Sequence, residues 1–285
     1  MGRMLFATSN LAARVEKAEA AVAAEFAAAA RVRGKDVMLE PVGGTTAVFG
    51  GPGEPFNKIA GLGFAPLDEG ALAALEAKYD ARQAEIRVEQ ATLADPSVAI
   101  LLTRRGYELI GYENVLGLEL TPPAIEAMAG PAPEGLTIAP VRDGEMRLWI
   151  ETVTDAFLQP DSFDGPPPTE TFARDTLLQV YEGFVGSGNI VTYLARRGGD
   201  IAGGGAIRIS DGLAQLAGAA TLPAHRRRGV QSALLRARLV DAAAHGCDLA
   251  VVTTEPASKS QQNVQRAGFA LLYSRAVLVR RARPA

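Results

Sequence analysis

The chain has 285 residues, which is longer than one ordinary domain and suits two. With 48% hydrophobic and 21% charged residues, the composition is typical of a globular protein with a real core and excludes an intrinsically disordered chain. The formal net charge of −3 provides no overall basic field, so we expect no nucleic-acid partner, and any anion site must be local. One cysteine and two histidines exclude a disulfide framework and argue against a metal centre.

The N-terminal region predicts neither export nor membrane insertion. The alanine-rich stretch Ala20 to Val32 carries Glu25 and falls short of the ~20 strongly apolar residues that a membrane span requires. No secretory apolar segment is present, and Glu16 and Glu19 argue against a transit peptide. We therefore expect a cytoplasmic protein with no membrane partner.

The first predicted element is a helix from Asn10 to Arg33, which follows cap-type residues and ends before a glycine. A second long helical pattern covers Gly70 to Gln83. Prolines and glycines are concentrated between Leu120 and Thr137, which predicts a linker around one short helical turn. We place the two domains at residues 1–133 and 137–285.

The second half predicts a longer series of strands and helices. In order these are a strand Leu136 to Val141, helices Asp143 to Phe157 and Thr169 to Phe184, strands Ile190 to Arg196 and Ile201 to Ile209, a strand ending near Leu222, a helix Ser232 to His245, a strand Leu249 to Thr254, a short helix and a closing strand pair. The middle strands run as hairpins, so the sheet is mixed.

The two halves align with each other at an offset of ~162 residues. The helical pattern Gly70 to Gln83 matches Ser232 to His245, and the run Arg104-x-Gly106-Tyr107 matches Arg266-x-Gly268-Phe269. Two unrelated α/β segments with alanine-rich helices are the alternative; we favour a repeat because several stretches share one register. The predicted fold class is α/β (α+β), with two similar domains, each a mixed, largely antiparallel twisted sheet flanked by helices.

One loop has the features of an anion site. The segment Thr221 to Leu235 joins a strand to a helix through Gly229, which lets the backbone approach a ligand while the helix amides point outward with the positive end of the dipole. No acidic residue lies between Gly212 and Val240, whereas five arginines do: Arg226, Arg227, Arg228, Arg236 and Arg238. A solvated basic helix start is the alternative. Walker and Rossmann loops fit poorly, because Gly203-Gly204-Gly205 lies between two predicted strands.

The run Arg226-x-x-Gly229-Val230-Gln231 resembles the acyl-CoA signature of the GNAT acetyltransferase superfamily. Downstream, the run Thr254-Glu255-Pro256 through Asn263-x-x-Arg266-Ala267-Gly268-Phe269 is similar to the last motif of that family. The order of elements over Leu136 to Arg280 agrees with the whole fold. The resemblance implies two GNAT-like domains, acetyl-CoA as co-substrate with no metal, and transfer to a primary amine of a small molecule or peptide by direct attack in a ternary complex.

The resemblance also implies which residues bind the co-substrate. The pyrophosphate would be held by main-chain amides of the loop and helix start, namely Arg228, Gly229, Val230, Gln231 and Ser232, with the Arg226 or Arg228 side chain reaching its phosphates. The end of the preceding strand, including Ala220, Thr221 and Leu222, would bond the pantetheine and polarise the thioester carbonyl. Asn263 would contact the pantetheine.

The residues for proton transfer are less clearly marked. Val264 stands where many family members have the tyrosine that protonates the leaving thiolate. We expect Tyr273 to replace it, with a packed sheet tyrosine as the alternative. For the base, Glu255 at the carboxyl end of its strand is one candidate, with a solvated loop acid as its alternative, and His225 is another.

The repeat register places Phe64-Ala65-Pro66-Leu67-Asp68-Glu69 where the second half has its anion loop. This loop lacks the glycine and the arginines and contains two acids, so the first domain is predicted to be a degenerate GNAT-like domain that binds no CoA. The predicted function is an N-acetyltransferase; the alternative is a non-catalytic acyl-CoA sensor or partner-binding module. The sequence is compatible with a monomer or a homodimer.

Overall fold

The structure is a computed structural model, and it describes residues 5–32, 34–51, 54, 56–128, 130, 132–160, 172–186 and 188–282. In chain order the elements are α1 (Ser9–Val32), β1 (Met38–Val42), β2 (Thr45–Phe49), β3 (Ile59–Ala60), α2 (Glu69–Asp80), β4 (Ile86–Ala91), α3 (Pro96–Arg104), β5 (Glu108–Glu119), α4 (Pro122–Met128), β6 (Leu136–Pro140), α5 (Met146–Phe157), α6 (Arg174–Val185), β7 (Ile190–Arg197), β8 (Asp200–Ser210), β9 (Leu213–Thr221), α7 (Val230–Ala244), β10 (Leu249–Thr254), α8 (Lys259–Arg266) and β11 (Ala270–Arg280). A 3-10 turn, Pro223–His225, precedes α7. Within these residues no helix is both long and apolar enough to cross a membrane.

Most predicted elements are present, and the differences lie at their ends. The predicted start of α6, Thr169, lies outside the described residues. After α8 the structure has one strand, β11, instead of the predicted closing pair. The stretch Ala270–Arg280 contains no glycine, proline or other turn signal, so nothing interrupts an extended conformation over its length.

The chain forms two compact units. The N-terminal unit consists of Phe6–Val115 together with the chain from Leu272 onward, and the C-terminal unit contains Leu116–Leu271. The predicted limits 1–133 and 137–285 differ from these at both ends. Composition located the linker, which is rich in proline and glycine. The cores, however, include strands from the other side of that linker, since Leu278 belongs to the core of the N-terminal unit and Leu116 to the core of the C-terminal unit.

The C-terminal unit contains the strand order β5-β10-β9-β8-β7-β6. Strands β6 to β9 are antiparallel neighbours, while β10 runs parallel to β9. Helix α5 packs against β8 and β9, as does α7. The apolar side of α7 is buried through Leu234 and Leu239, which join Ile207 and Ala214 of the sheet in one core. The predicted fold class, a mixed sheet flanked by helices, is confirmed.

The N-terminal unit contains the strand order β1-β2-β3-β4-β11-β5. Only the contact between β3 and β4 is parallel among its recorded strand pairs. The succession β3-α2-β4-α3-β5 repeats the succession β9-α7-β10-α8-β11 at an offset of ~162 residues. The structure therefore supports the internal repeat that the sequence register indicates.

A network of buried charges lies in the core of the N-terminal unit. Arg275 is fully buried; its Nε lies 2.7 Å from an oxygen of Glu16. Lys58 contacts Glu19 at 2.6 Å and Glu89 at 3.0 Å. Burial, together with the nearby Glu89 carboxylate, raises the pKa of Glu113 to about 7, against the opposing effect of Lys58 and Arg275. Glu113 therefore takes up a proton on folding at neutral pH.

We expect the substitution Glu113→Gln to flatten the pH dependence of stability. A carboxyl group whose pKa is raised in the folded state gives its full stabilisation below the unfolded pKa of about 4.5, and this contribution is lost as the pH rises from there through about 7. The free energy of unfolding, measured in urea from pH 5 to pH 8, should fall by about 1–3 kcal/mol more in the wild type than in the variant. Glu108→Gln, an exposed position on the same strand, is the control. Parallel curves for wild type and Glu113→Gln would contradict this assignment.

Candidate functional site

The N-terminus of α7 has no side-chain cap. Gly229 occupies the cap position with φ +78, a left-handed conformation that favours glycine. The first helical hydrogen bond runs from the Ala233 amide to the Gly229 carbonyl, so the amides of Val230, Gln231 and Ser232 have no acceptor within the helix. A Cβ at Gly229 would also lie 2.9 Å from Cγ of Pro133. Glycine thus keeps this positive helix end open to an anion.

The arginines of the loop have different surroundings. The Arg226 guanidinium donates from Nε to the Thr221 carbonyl at 3.1 Å and from Nη2 to the carbonyls of Ala156 and Gln159. Arg226 therefore fastens the loop to the end of α5, a structural role that the prediction of a phosphate contact did not include. Arg227 and Arg228 are exposed, and Arg227 adopts φ +59, which is unusual for a residue with a side chain. The loop holds a strained backbone beside the open helix end.

Replacing Arg227 with glycine should stabilise the protein. A left-handed conformation costs a non-glycine residue about 1–2 kcal/mol, and glycine loses about 0.5–1 kcal/mol of this gain through its freer unfolded chain. We expect Arg227→Gly to raise the free energy of unfolding by about 0.5–1 kcal/mol in a urea titration.

Arg228→Gly is the matched control, since Arg228 lies in the same loop and does not have a positive φ. This variant should lose stability. A lower stability for Arg227→Gly as well would show that the Arg227 side chain contributes more than its backbone conformation costs.

Strands β9 and β10 separate beside this loop. Their parallel pairing joins Leu249 to Leu213 and, at its far end, Val251 to Gln215. Beyond that point both strands continue, β9 to Thr221 and β10 to Thr254, and no pairing between them is recorded over these described residues. The gap leaves main-chain groups of both strands available to an extended ligand.

Only part of the predicted strand segment faces this gap. The Leu222 amide donates to the Ala202 carbonyl at 3.0 Å, on the β8 side. Because backbone groups alternate along a strand, Ala220 faces β8 as well, opposite Gly204, and the Thr221 amide points the other way. Of the three predicted residues, Thr221 is therefore the one that offers its amide to the gap.

Buried polar atoms without partners surround the same place. Among the described residues, no hydrogen-bond partner contacts Oγ1 of Thr221, Oγ1 of Thr254 or Nδ1 of His225, and each of these atoms is buried. Such atoms cost free energy unless something bonds them. Thr254 is only 5% exposed and ends β10 just before Glu255. These groups fit a ligand with polar atoms along its length, as the amides and phosphates of CoA provide.

The glycine triplet of β8 has a packing role. Cβ atoms would lie 2.8 Å from Val153 Cγ1 at Gly204 and 3.3 Å from the Arg238 guanidinium carbon at Gly205, on opposite faces of the sheet. At Gly203 a Cβ would collide with the main chain of β9. The β8–β9 ladder is irregular here, with a bulge between Gly204 and Ala206. The sequence interpretation that this triplet is no phosphate loop agrees with this packing.

The predicted catalytic residues belong to different units. Tyr273 belongs to the N-terminal unit, where its buried hydroxyl donates to Glu16 at 2.7 Å and burial raises its pKa. A hydroxyl so engaged is unsuited to protonate a thiolate, and the alternative of a packed sheet tyrosine describes it better. Val264 is buried in the core of the C-terminal unit.

Glu255 and Asn263 lie in the C-terminal unit. Glu255 follows β10 directly and is half-buried, with no side-chain partner among the described residues. The Asn263 amide oxygen accepts from Arg266 at 3.3 Å, across one turn of α8. Both residues belong to the unit that contains the open helix end and the strand gap.

The equivalent loop of the N-terminal unit differs in chemistry. Asp68 caps α2, and its carboxylate accepts the Ala71 amide at 2.7 Å. A negative charge of the chain itself thus occupies the helix end that Gly229 leaves open in the other unit. A pocket of about 790 Å³ lies beside this loop and includes Glu69 and Asp95 in its lining. With these two acids and one arginine, Arg104, its lining carries a net negative charge, which disfavours an anion.

Sequence reasoning gave Tyr181 and Thr254 no role in the site. Tyr181 lies in α6, and a Cβ on Gly218 of β9 would be 3.4 Å from its Cε1 atom. The helical spacing of Tyr181 indicated only a core position. The sequence alone could not indicate a site role for either residue. That role depends on the bulge and on the strand separation, which bring α6 and β10 to the same part of β9.

Solved structures share the fold of this chain. A GCN5-related N-acetyltransferase from Kribbella flavida is 19% identical, with a TM-score of 0.66 over 94% of this chain and 95% of that chain. A tandem GNAT protein from the clavulanic acid biosynthesis pathway is 15% identical, with a TM-score of 0.61 over 86% and 82%. No curated protein matches the chain. At these identities the likeness establishes the fold, which is that of GNAT proteins.

Part of the C-terminal unit also matches a known family in sequence. The model of the Acetyltransferase (GNAT) family matches residues 153–269, a range that includes the open helix end, the strand gap and α8. Residues 153–269 are therefore similar in sequence to GNAT acetyltransferases. The predicted resemblance to this family is confirmed.

Proposed function

We propose that the C-terminal unit moves the acetyl group of acetyl-CoA to a primary amine of a small molecule or peptide. The observation that carries this proposal is the uncapped start of α7, where Gly229 at φ +78 leaves three amides facing outward beside the gap between β9 and β10. In a family of acetyltransferases, this is the place for a pyrophosphate and an extended pantetheine. Both substrates bind together, and the amine attacks the thioester directly.

We assign different parts of acetyl-CoA to different residues of the site. The amides of Val230, Gln231 and Ser232 bind the pyrophosphate, while exposed Arg228 adds positive charge at the rim. The Thr221 amide, directed into the strand gap, bonds the pantetheine or polarises the thioester carbonyl. Asn263 keeps its proposed contact with the pantetheine. Arg226 acts indirectly, because its guanidinium fixes the loop to α5.

Glu255 is the proposed base. An attacking amine must lose a proton, and a carboxylate at the end of β10, beside the buried hydroxyl of Thr254, is placed to accept it. The half-buried carboxylate has no competing partner among the described residues. Much of the remaining rate enhancement comes from holding the amine against the thioester.

Gly229→Glu should abolish acetyl-CoA binding. The new carboxylate would lie at the phosphate position, and its side chain would strain the backbone and collide with Pro133. Calorimetric titration of the wild type should show one site per chain, since Asp68 fills the equivalent position in the other unit. We expect affinity to fall at least ~100-fold in the variant.

Gly246→Glu is the matched control. Gly246 has the same φ of +78 at the other end of α7 and open space around it, so this variant introduces the same charge and strain away from the site. It should keep wild-type affinity. Equal loss in both variants would attribute the effect to folding, and two sites per chain would contradict the proposal that the N-terminal unit binds no CoA.

Glu255→Gln should lower kcat by about 100-fold while leaving acetyl-CoA affinity unchanged, because the amide keeps the shape and cannot accept a proton. Thiol release in the presence of a mixed library of small amines and peptides identifies the acceptor for this measurement. Glu126→Gln, an exposed position of α4, is the control. A loss below twofold would assign the proton to water instead of Glu255.

The second candidate function is a non-catalytic acyl-CoA sensor. Its supporting observation is Val264, which occupies the core where the family commonly has its proton donor. Binding of acetyl-CoA without thiol release for any amine would favour this candidate. We propose a cytoplasmic location and a monomer or homodimer for either function.

A further inference from the structure

The leaving sulfur of a thioester needs a proton, and the chain has no donor where its family usually has one. Val264 is only 4% exposed and packs with Leu234 and Phe269 in the core. A thiolate with a pKa of about 8.5 can leave unaided, but a proton donor in contact with it makes departure faster at neutral pH. Such a donor must be a side chain of the C-terminal unit that lies at the acyl end of the strand gap.

Among the tyrosines of the chain, one is a candidate for this proton donor. The chain has six: Tyr79, Tyr107, Tyr112, Tyr181, Tyr193 and Tyr273. Four of them belong to the N-terminal unit. Of the two in the C-terminal unit, Tyr193 donates its hydroxyl to Asp241. The hydroxyl of Tyr181 has no hydrogen-bond partner among the described residues.

The ring of Tyr181 lies against the bulged part of β9. It packs edge-on to Trp149, with ring centroids 5.7 Å apart and an interplanar angle of 87°. Its Cε1 atom is 3.4 Å from the position of a Cβ on Gly218, whose φ is +54. Cε1 adjoins the carbon that carries the hydroxyl, so the polar end of the ring lies beside β9. Gly218 is three residues before Thr221, the proposed contact of the thioester.

We propose that Tyr181 is the catalytic acid that protonates the leaving thiolate of CoA. The nitrogen of the amine forms its bond to the thioester carbon, and the C–S bond breaks with its electron pair on sulfur. The Tyr181 hydroxyl gives its proton to that sulfur, and the amine proton leaves through Glu255 to water, which restores the hydroxyl. The products are an amide and CoA thiol.

The electrostatics of Tyr181 agree with a donor role. Burial raises the pKa of its hydroxyl to about 12, so the group keeps its proton throughout the physiological range. Trp149 holds the ring at a fixed angle, and its indole nitrogen donates to the Gly205 carbonyl at 3.3 Å. Bulge, indole and phenol therefore form one packed unit at the acyl end of the gap.

This inference rests on the proposed function. Its first test measures CoA binding alone and needs no acceptor, so that it does not depend on finding the amine. The probes are CoA and desulfo-CoA, titrated calorimetrically from pH 6.5 to pH 9.5 into wild type and Tyr181→Phe. A hydroxyl that donates to the bound thiolate should raise CoA affinity relative to desulfo-CoA by ~10-fold as the thiol ionises, and Tyr181→Phe should remove this rise. Tyr112→Phe, an exposed tyrosine of the N-terminal unit, should behave as wild type.

The second test is turnover with the amine that thiol release identifies. Tyr181→Phe should lower kcat on the order of 10–100-fold, with acetyl-CoA affinity within twofold of wild type. A wild type that binds CoA while the variant shows the same pH dependence and kcat would overturn the role of Tyr181 and leave the proposed function standing. A wild type that binds neither CoA nor acetyl-CoA would overturn both.

Discussion

The site depends on one constraint, which is that the first turn of α7 keeps its amides free. A helix N-terminus normally satisfies these donors with the side chain of its cap residue, and Ser258 does so for α8 by accepting the Gln261 amide. At α7 the cap is Gly229, which has no side chain, and the amides remain available with the positive end of the helix dipole. The fastening of Arg226 to α5 and the approach of Pro133 keep the loop in this conformation despite the strained backbone of Arg227.

The two halves of the chain differ in whether the corresponding helix start is open or capped. Both have a strand, a helix, a parallel neighbour strand and a short helix in the same order. In the first half Asp68 supplies a carboxylate to the α2 amides, so the helix end is closed and negative. The N-terminal unit also contains buried charges, in which Arg275 and Lys58 face several glutamates. These two cations are paired within the core of the unit, so their charges are balanced by carboxylates of the chain itself.

The sequence predicted the fold because it depends on local patterns. Periodicity located β10 to the residue, and it placed the start of α7 at Ser232, within two residues of its position in the structure. The role of Arg226 was not predictable in this way, since its partners Ala156 and Gln159 lie about seventy residues away. The hydrogen bond of Tyr273 was not predictable for the same reason: Tyr273 is close to Phe269 along the chain, whereas its hydroxyl partner Glu16 lies in the first helix of the chain.

Buried side chains support the bulged part of β8 and β9, at the proposed acyl end of the strand gap. Arg238 is buried beneath the sheet, and its guanidinium donates to the carbonyls of Ala206, Ala217 and Leu234. Burial lowers its pKa to about 10, so it is still charged at neutral pH, and the three carbonyls disperse that charge. Two of them, Ala206 of β8 and Ala217 of β9, are opposite each other in the ladder, next to the bulge. With Trp149 on the opposite face, a cation and an indole pack against the bulge from both sides, which gives the proposed thioester contact at Thr221 a rigid support.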